Sequence, residues 1–191
     1  MSTLAKTFVT PEEYLELERK AEWKNEYRDG KIYAMSGVSR QHDWITTQLT
    51  FLMVQHLRPG KCRCFSADMR VLVQASGIYT YPDLSVVCGD AQFADAHVDT
   101  LLNPILLVEV LSPSTESYDR GLKAAAYRTI PSLQELLLVA QNSYEVELHR
   151  REVKGTWTRI EAAGLEASIE LQSIGYLLRL GELYERLIEQ R

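Results

Sequence analysis

Residues 106–111 read Leu106-Leu107-Val108-Glu109-Val110-Leu111, a run of β-formers with one carboxylate in its middle. An aliphatic run of this length suits a short central strand covered on both faces. Glu109 is out of place there, because a carboxylate in a buried strand is costly unless a cation or hydrogen bonds compensate it. Asp83 raises the same question in Tyr81-Pro82-Asp83-Leu84-Ser85-Val86-Val87, where an acid opens an apolar strand directly after a proline. Either acid alone reads most simply as a structural ion pair or an edge-strand residue. If the two strands are neighbours, the carboxylates converge, and a hard divalent cation such as Mg²⁺ is the natural way to keep both ionised.

Working outward, the N-terminal side carries helix and hairpin signals. Thr10 as N-cap, Pro11 behind it and Glu13 three residues after the cap form a capping-box pattern, which predicts a helix over 11–20. Asp29-Gly30 between two short β-forming runs predicts a two-residue hairpin. From Ser39 the period changes, and Ile45, Leu49, Leu52 and Met53 share one helical face until Pro59-Gly60 stops it. Residues 63–74, 81–87 and 105–111 then read as strands. An amphipathic helix over 117–129 is expected to turn Leu122, Ala125, Ala126 and Tyr127 inward. Three short strands over 136–140, 145–151 and 156–160 follow, and a helix over 177–189 closes the chain. No internal repeat or low-complexity tract is visible.

The 191 residues suit a single domain, 1–191, and the 46% hydrophobic, 25% charged composition excludes disordered, collagenous and disulfide-scaffold classes. A net charge of −5 argues against a surface that is basic overall. Cys62, Cys64 and Cys88 fit neither a closed disulfide framework nor a common zinc spacing and are read as reduced thiols. No signal peptide and no membrane span are apparent, so a soluble, cytoplasmic protein is expected.

Downstream of Glu109, Asp119 and Lys123 are spaced i, i+4 on a helix that packs back on the strand. Lys123 either points toward the carboxylates or makes a helix-surface salt bridge with Asp119. Asp68 and Arg70 are expected to pair with each other or with the sheet edge, and His42 to hydrogen-bond locally in the first turn of its helix. Tyr118 and Tyr127 read as core or rim aromatics. No histidine metal spacing, nucleophile elbow, Walker A loop or dinucleotide fingerprint is present.

Pro82-Asp83, then Val108-Glu109-Val110-Leu111-Ser112-Pro113-Ser114-Thr115, then Tyr118-Asp119-Arg120-Gly121 with Lys123 and Tyr127 resemble the bacterial Uma-two family of restriction-endonuclease-like proteins, within the PD-(D/E)XK nuclease superfamily. The resemblance extends from Glu26-Tyr27-Arg28-Asp29-Gly30 through Ser39-Arg40-Gln41-His42 to about Arg151. It implies an α/β (α+β) fold with a mixed central β-sheet flanked by helices, preceded by an N-terminal helix and β-hairpin. It also implies phosphodiester hydrolysis on DNA, with Mg²⁺ or Mn²⁺ held by Asp83, Glu109 and the backbone carbonyl of Val110. The superfamily's lysine two positions after the glutamate is Leu111 here, so Lys123 takes that role from the following helix. Glu26 matches a further acid of the family and joins the candidate catalytic residues.

Two functions follow as expectations: a Mg²⁺-dependent DNA endonuclease, and a catalytically inactive nuclease-fold binding or interaction module. The acidic balance requires any DNA contact to come from a local basic patch, for which Arg40, Arg58, Lys61, Arg63 and Arg70 are the candidates. A homodimer is expected, since enzymes that cut both strands of a duplex commonly pair two sites.

Overall fold

The computed structural model describes residues 8–35, 37–185 and 187. Helix α1 (Pro11–Glu18) starts on the expected capping box: Thr10 Oγ1 accepts from the Glu13 amide at 3.3 Å, and Glu13 Oε2 accepts from the Thr10 amide at 2.9 Å. Strands β1 (Asn25–Arg28) and β2 (Lys31–Ala34) form the hairpin. Its central residues, Asp29 and Gly30, both have positive φ, as a type I′ turn requires. Gly30 is needed twice over, because a Cβ there would run into the Phe8 ring. Helix α2 (Arg40–Leu57) begins at Ser39, whose Oγ accepts from the His42 amide at 3.1 Å, and it buries Ile45, Leu49 and Met53.

The expected strand over 63–74 is two strands in two different sheets, β3 (Cys62–Ser66) and β4 (Arg70–Val73), with a turn between them. That turn separates Asp68 from Arg70: Asp68 pairs with Lys24 at 3.0 Å, and Arg70 with Asp99 at 3.0 Å. The expected strand over 81–87 is likewise preceded by a separate element, β5 (Ile78–Thr80), before β6 (Leu84–Cys88). Tyr81-Pro82-Asp83 carries the chain from one sheet to the other. After β7 (Thr100–Leu101) comes β8 (Leu106–Leu111), fully buried.

Next, α3 (Glu116–Tyr118), a π-helical turn (Asp119–Lys123) and α4 (Ala124–Tyr127) run one after another. The expected inward face is displaced. Leu122 is 46% exposed, whereas Lys123, Ala124 and Tyr127 are buried, because the wider π turn rotates the helix face relative to a 3.6-residue period. Strands β9 (Glu135–Ala140), β10 (Glu145–Arg151) and β11 (Trp157–Ala163) follow as read. The closing helix is a correction. Strands β12 (Ser168–Leu171) and β13 (Tyr176–Arg179) pair there, and helix α5 (Leu180–Leu183) is short. Within β13 Leu178 is buried between exposed Leu177 and Arg179, the alternation a strand requires, and the rest of the expected helix lies partly outside the described residues.

A six-stranded sheet has the order β11-β10-β9-β8-β6-β3, and a five-stranded sheet the order β2-β1-β5-β4-β7. Within the larger sheet β8 and β9 are parallel, joined by the helical crossover, and the other pairs are antiparallel. Val108 and Val110 pack toward α2 on one face. Leu107 and Leu111 pack toward α4 and the smaller sheet on the other. Alternation therefore turns Glu109 to the second face, among the residues of the helical crossover. The reading of three separate thiols is also corrected: Cys62 and Cys88 stand opposite each other across β3 and β6 and are disulfide-bonded, leaving Cys64 free. Among the described residues no helix is long and apolar enough to cross a membrane.

Candidate active site

The pairing of β6 with β8 sets Leu84 against Val108, and extending that register by one residue brings Asp83 beside Glu109. Asp83 is fixed in place, its Oδ2 accepting from the Val110 amide at 2.7 Å. The hairpin adds Glu26: Tyr27 points into a small tyrosine core with Tyr14 and Tyr79, so the pleat directs Glu26 and Arg28 to the opposite face. Lys123 enters from the helical crossover. Its Nζ lies 2.9 Å from Glu109 Oε1, 3.0 Å from Glu26 Oε1 and 3.7 Å from Asp119 Oδ1. Lys123 thus points toward the carboxylates, and its contact with Asp119 lies inside the fold and not on the helix surface. All four expected side chains, Glu26, Asp83, Glu109 and Lys123, line one cleft of about 550 Å³.

Further residues complete the cluster. The Tyr127 hydroxyl donates to Glu109 Oε1 at 2.6 Å, and Thr80 donates to Glu26 Oε1. His42 does more than hydrogen-bond within its own helix, because its Nε2 lies 3.2 Å from Asp83 Oδ2. Sequence reasoning reads Tyr127 as a core or rim aromatic and His42 as bonding locally in the first turn of its helix. The available signals were the i, i+4 spacing of Lys123 with Tyr127 and the position of His42 three residues after the cap.

Charge is unevenly matched here. Burial, reinforced by Asp83 and Asp119 against the pull of Lys123, pushes the Glu109 carboxyl up to about 8. Burial also raises Asp119, although Lys123 opposes it. Glu26 is the better served acid: burial works against its charge, but Lys123, Thr80 and the Tyr81 amide outweigh it and hold its carboxyl below the usual range. For Lys123 burial favours the neutral amine, yet Glu109, Tyr127, Glu26 and Asp119 hold it well above the ordinary lysine value. Lys123 is therefore held as an ammonium. His42 is raised too, since its contacts with Asp83 and with the Val110 backbone outweigh its burial.

The donor set suits a hard cation. Glu109 uses Oε1 and Asp83 uses Oδ2 for their contacts, leaving one carboxylate oxygen on each, with Val110 lining the same cleft. Among the described residues no group of three or more His, Cys, Asp and Glu could hold a metal ion. Mg²⁺ needs fewer protein ligands than that, because it keeps several waters and binds through one or two carboxylates plus substrate phosphate.

Of the expected basic patch, Arg40, Arg58, Lys61 and Arg63 are exposed. Arg70 is not part of it. It is 3% exposed, donating to Thr100 at 2.9 Å and to the Tyr81 hydroxyl at 3.0 Å, so its charge is spent inside the fold.

Comparison with known proteins follows the same lines. The profile of the Uma2 family, described as "Putative restriction endonuclease", matches residues 11–180. A Synechocystis protein, slr1290, is 38% identical over 179 residues, covering 94% of this chain and 93% of its own. A second Synechocystis protein, sll1609, is 36% identical over 162 residues, covering 85% of this chain and 92% of its own. The crystal structure of "a putative nuclease belonging to DUF820" from Anabaena variabilis superposes with a TM-score of 0.77 at 20% identity, over 92% of this chain and 97% of that one. At that identity the match establishes a shared fold.

Proposed function

The chain belongs to the Uma2 family of restriction-endonuclease-like proteins, and from that premise we propose that it hydrolyses phosphodiester bonds in DNA with the help of Mg²⁺ or Mn²⁺. The observation that supports this reading best is the position of Lys123, whose ammonium stands 2.9 Å from Glu109 although the superfamily's usual lysine position is Leu111. A lysine carried by the crossover helix thereby stands beside the glutamate.

Asp83, Glu109 and the Val110 carbonyl would hold the cation. Bound there, it supplies Lewis acidity toward water and toward a phosphate oxygen. Lys123 adds a fixed positive charge beside the scissile phosphate, where charge develops. Tyr127 and Glu26 hold the ammonium and the Glu109 carboxylate in register, and His42 holds Asp83 through its Oδ2.

The test is DNA cleavage with Mg²⁺ or Mn²⁺ by the wild-type protein, Asp83→Ala and Glu109→Ala. Activity confined to wild type is expected, and equal cleavage by all three sinks the assignment. The full ion pairing of Lys123 by three carboxylates favours a second reading, a binding module that has kept the fold. Calorimetric Mg²⁺ binding that depends on Asp83 and Glu109, without turnover of any DNA, would select that reading.

A further inference from the structure

We propose that this cleft takes an unpaired DNA strand in preference to an intact duplex, with Tyr33 and Tyr118 as stacking surfaces for its bases and Arg28 as the contact for its phosphate. The inference rests on the nuclease reading of the same cleft. Three independent observations lead to it.

The first is depth. Glu109 and Lys123 are only 4% and 5% exposed, at the floor of a cavity of about 550 Å³ walled by the hairpin, the start of α2 and the segment after β8. A space of that size accepts one ligand of ordinary small-molecule dimensions, which is the scale of a nucleotide. Duplex phosphates lie on the outside of a stiff rod that does not fold into such a space, whereas an unpaired strand turns freely at each nucleotide.

The second is the lining. Register sets Tyr33 opposite Glu26, so the face of the hairpin that carries Glu26 and Arg28 also carries Tyr33. The Arg28 guanidinium lies 4.7 Å from the Tyr33 ring centre and 4.9 Å from that of Tyr118, which comes from the crossover. Two rings from separate elements thus meet at one cation inside the cleft, the combination by which single strands are bound without regard to sequence. Unlike Lys123, Arg28 is not committed to the carboxylates: its ion pair with Asp29 is long, at 3.9 Å, and Asp29 is exposed.

The third is charge. A duplex is held by a row of cations along its backbone, and this chain carries a net −5 with Arg70 removed from the surface. Stacking supplies affinity that does not require such a row.

Fluorescence anisotropy in EDTA, where no cleavage occurs, compares a labelled non-self-complementary strand of about 12 nucleotides with the same sequence annealed to its complement. The strand should bind roughly tenfold more tightly than the duplex, and Tyr33→Ala and Tyr118→Ala should each weaken strand binding by about tenfold. Tyr33→Phe and Tyr118→Phe should retain it, and Arg28→Gln should lose it. Duplex binding as tight as strand binding, strand binding unchanged in both alanine variants, or no binding of either DNA overturns the proposal. Cleavage in Mg²⁺ separates the two claims. Asp83-dependent cutting of duplex DNA without strand preference removes this inference and keeps the nuclease reading. Ring-dependent strand binding with no cutting of either DNA does the reverse.

Discussion

Glu109 and Glu135 are buried glutamates on the neighbouring parallel strands β8 and β9, and the fold treats them in opposite ways. Glu135 is closed off. Its Oε1 accepts from Arg150 Nε at 2.8 Å and the Gln172 amide at 3.1 Å, and its Oε2 from the Ser173 amide at 2.9 Å and the Ser173 hydroxyl. One guanidinium answers one carboxylate, and the remaining donors are dipoles that tie β9 and β10 to the segment after β12. Glu109 instead shares a single ammonium with Glu26 and Asp119 and has Asp83 beside it. Burial of an acid is therefore no mark of a functional site by itself. Several acids sharing one ammonium at the floor of an open cleft make the stronger candidate.

The widest separation between the two glutamates should appear in catalysis. Glu109→Gln should lower the initial rate of DNA cleavage by about 10³-fold or more, while Glu135→Gln should cleave normally per folded molecule. Equal losses would abolish the distinction. In stability the order should reverse. Glu135→Ala leaves the Arg150 guanidinium without its carboxylate and should cost about 3–5 kcal/mol, seen as a Tm lower by roughly 6–20 °C. Glu109→Gln replaces an acid that burial holds largely protonated with a neutral amide of the same shape and should leave the metal-free Tm unchanged or raised.

A pH series sharpens the contrast further. The folded Glu109 carboxyl titrates near 8, above its ordinary value of 4.5, so the native state binds that proton more tightly than the unfolded chain. Its contribution to stability is therefore present at low pH and is withdrawn as pH rises from about 4.5 to 8. The Tm of wild type in EDTA should fall across that window relative to Glu109→Gln, and saturating Mg²⁺ should reduce the difference. Parallel curves for the two proteins would mean that Glu109 is not held protonated. The smallest effect is expected from Ser173→Ala, which removes one donor to Glu135 and should cost about 1–2 kcal/mol in denaturant melts without changing cleavage.

Much of the site was legible because its residues are anomalies of type. Glu109 interrupts an aliphatic strand, Asp83 follows a proline, and Lys123 sits one helical turn after Asp119. The string from Glu109 to Lys123 also carried the family resemblance. Elements with local signals were read well: the capping box at Thr10, the Asp29-Gly30 turn, and the apolar stripe of α2 stopped before Pro59-Gly60. The failures lie where the chain changes sheet or period. Residues 63–74 alternate as one strand would, yet they divide between two sheets, and alternation alone does not identify a strand's partner. The π turn at Asp119–Lys123 shifted the inward face from Leu122 to Lys123, a change that no period analysis of a standard helix contains. Glu135 lies just ahead of the strand expected over 136–140, where an acid raises no objection.

The sequence alone determined which residues were chemically out of place, the succession of most helices and strands, and the family. These are properties of residue type and near spacing, for which local propensity and periodicity suffice. Only the tertiary structure decided that Lys123 compensates Glu109 from another element, that His42 braces Asp83, that Arg70 is spent inside the fold, and that Cys62 meets Cys88. Each of those facts is a contact between segments distant in the chain. Such contacts depend on sheet order and register, which are set by the packing of the whole domain.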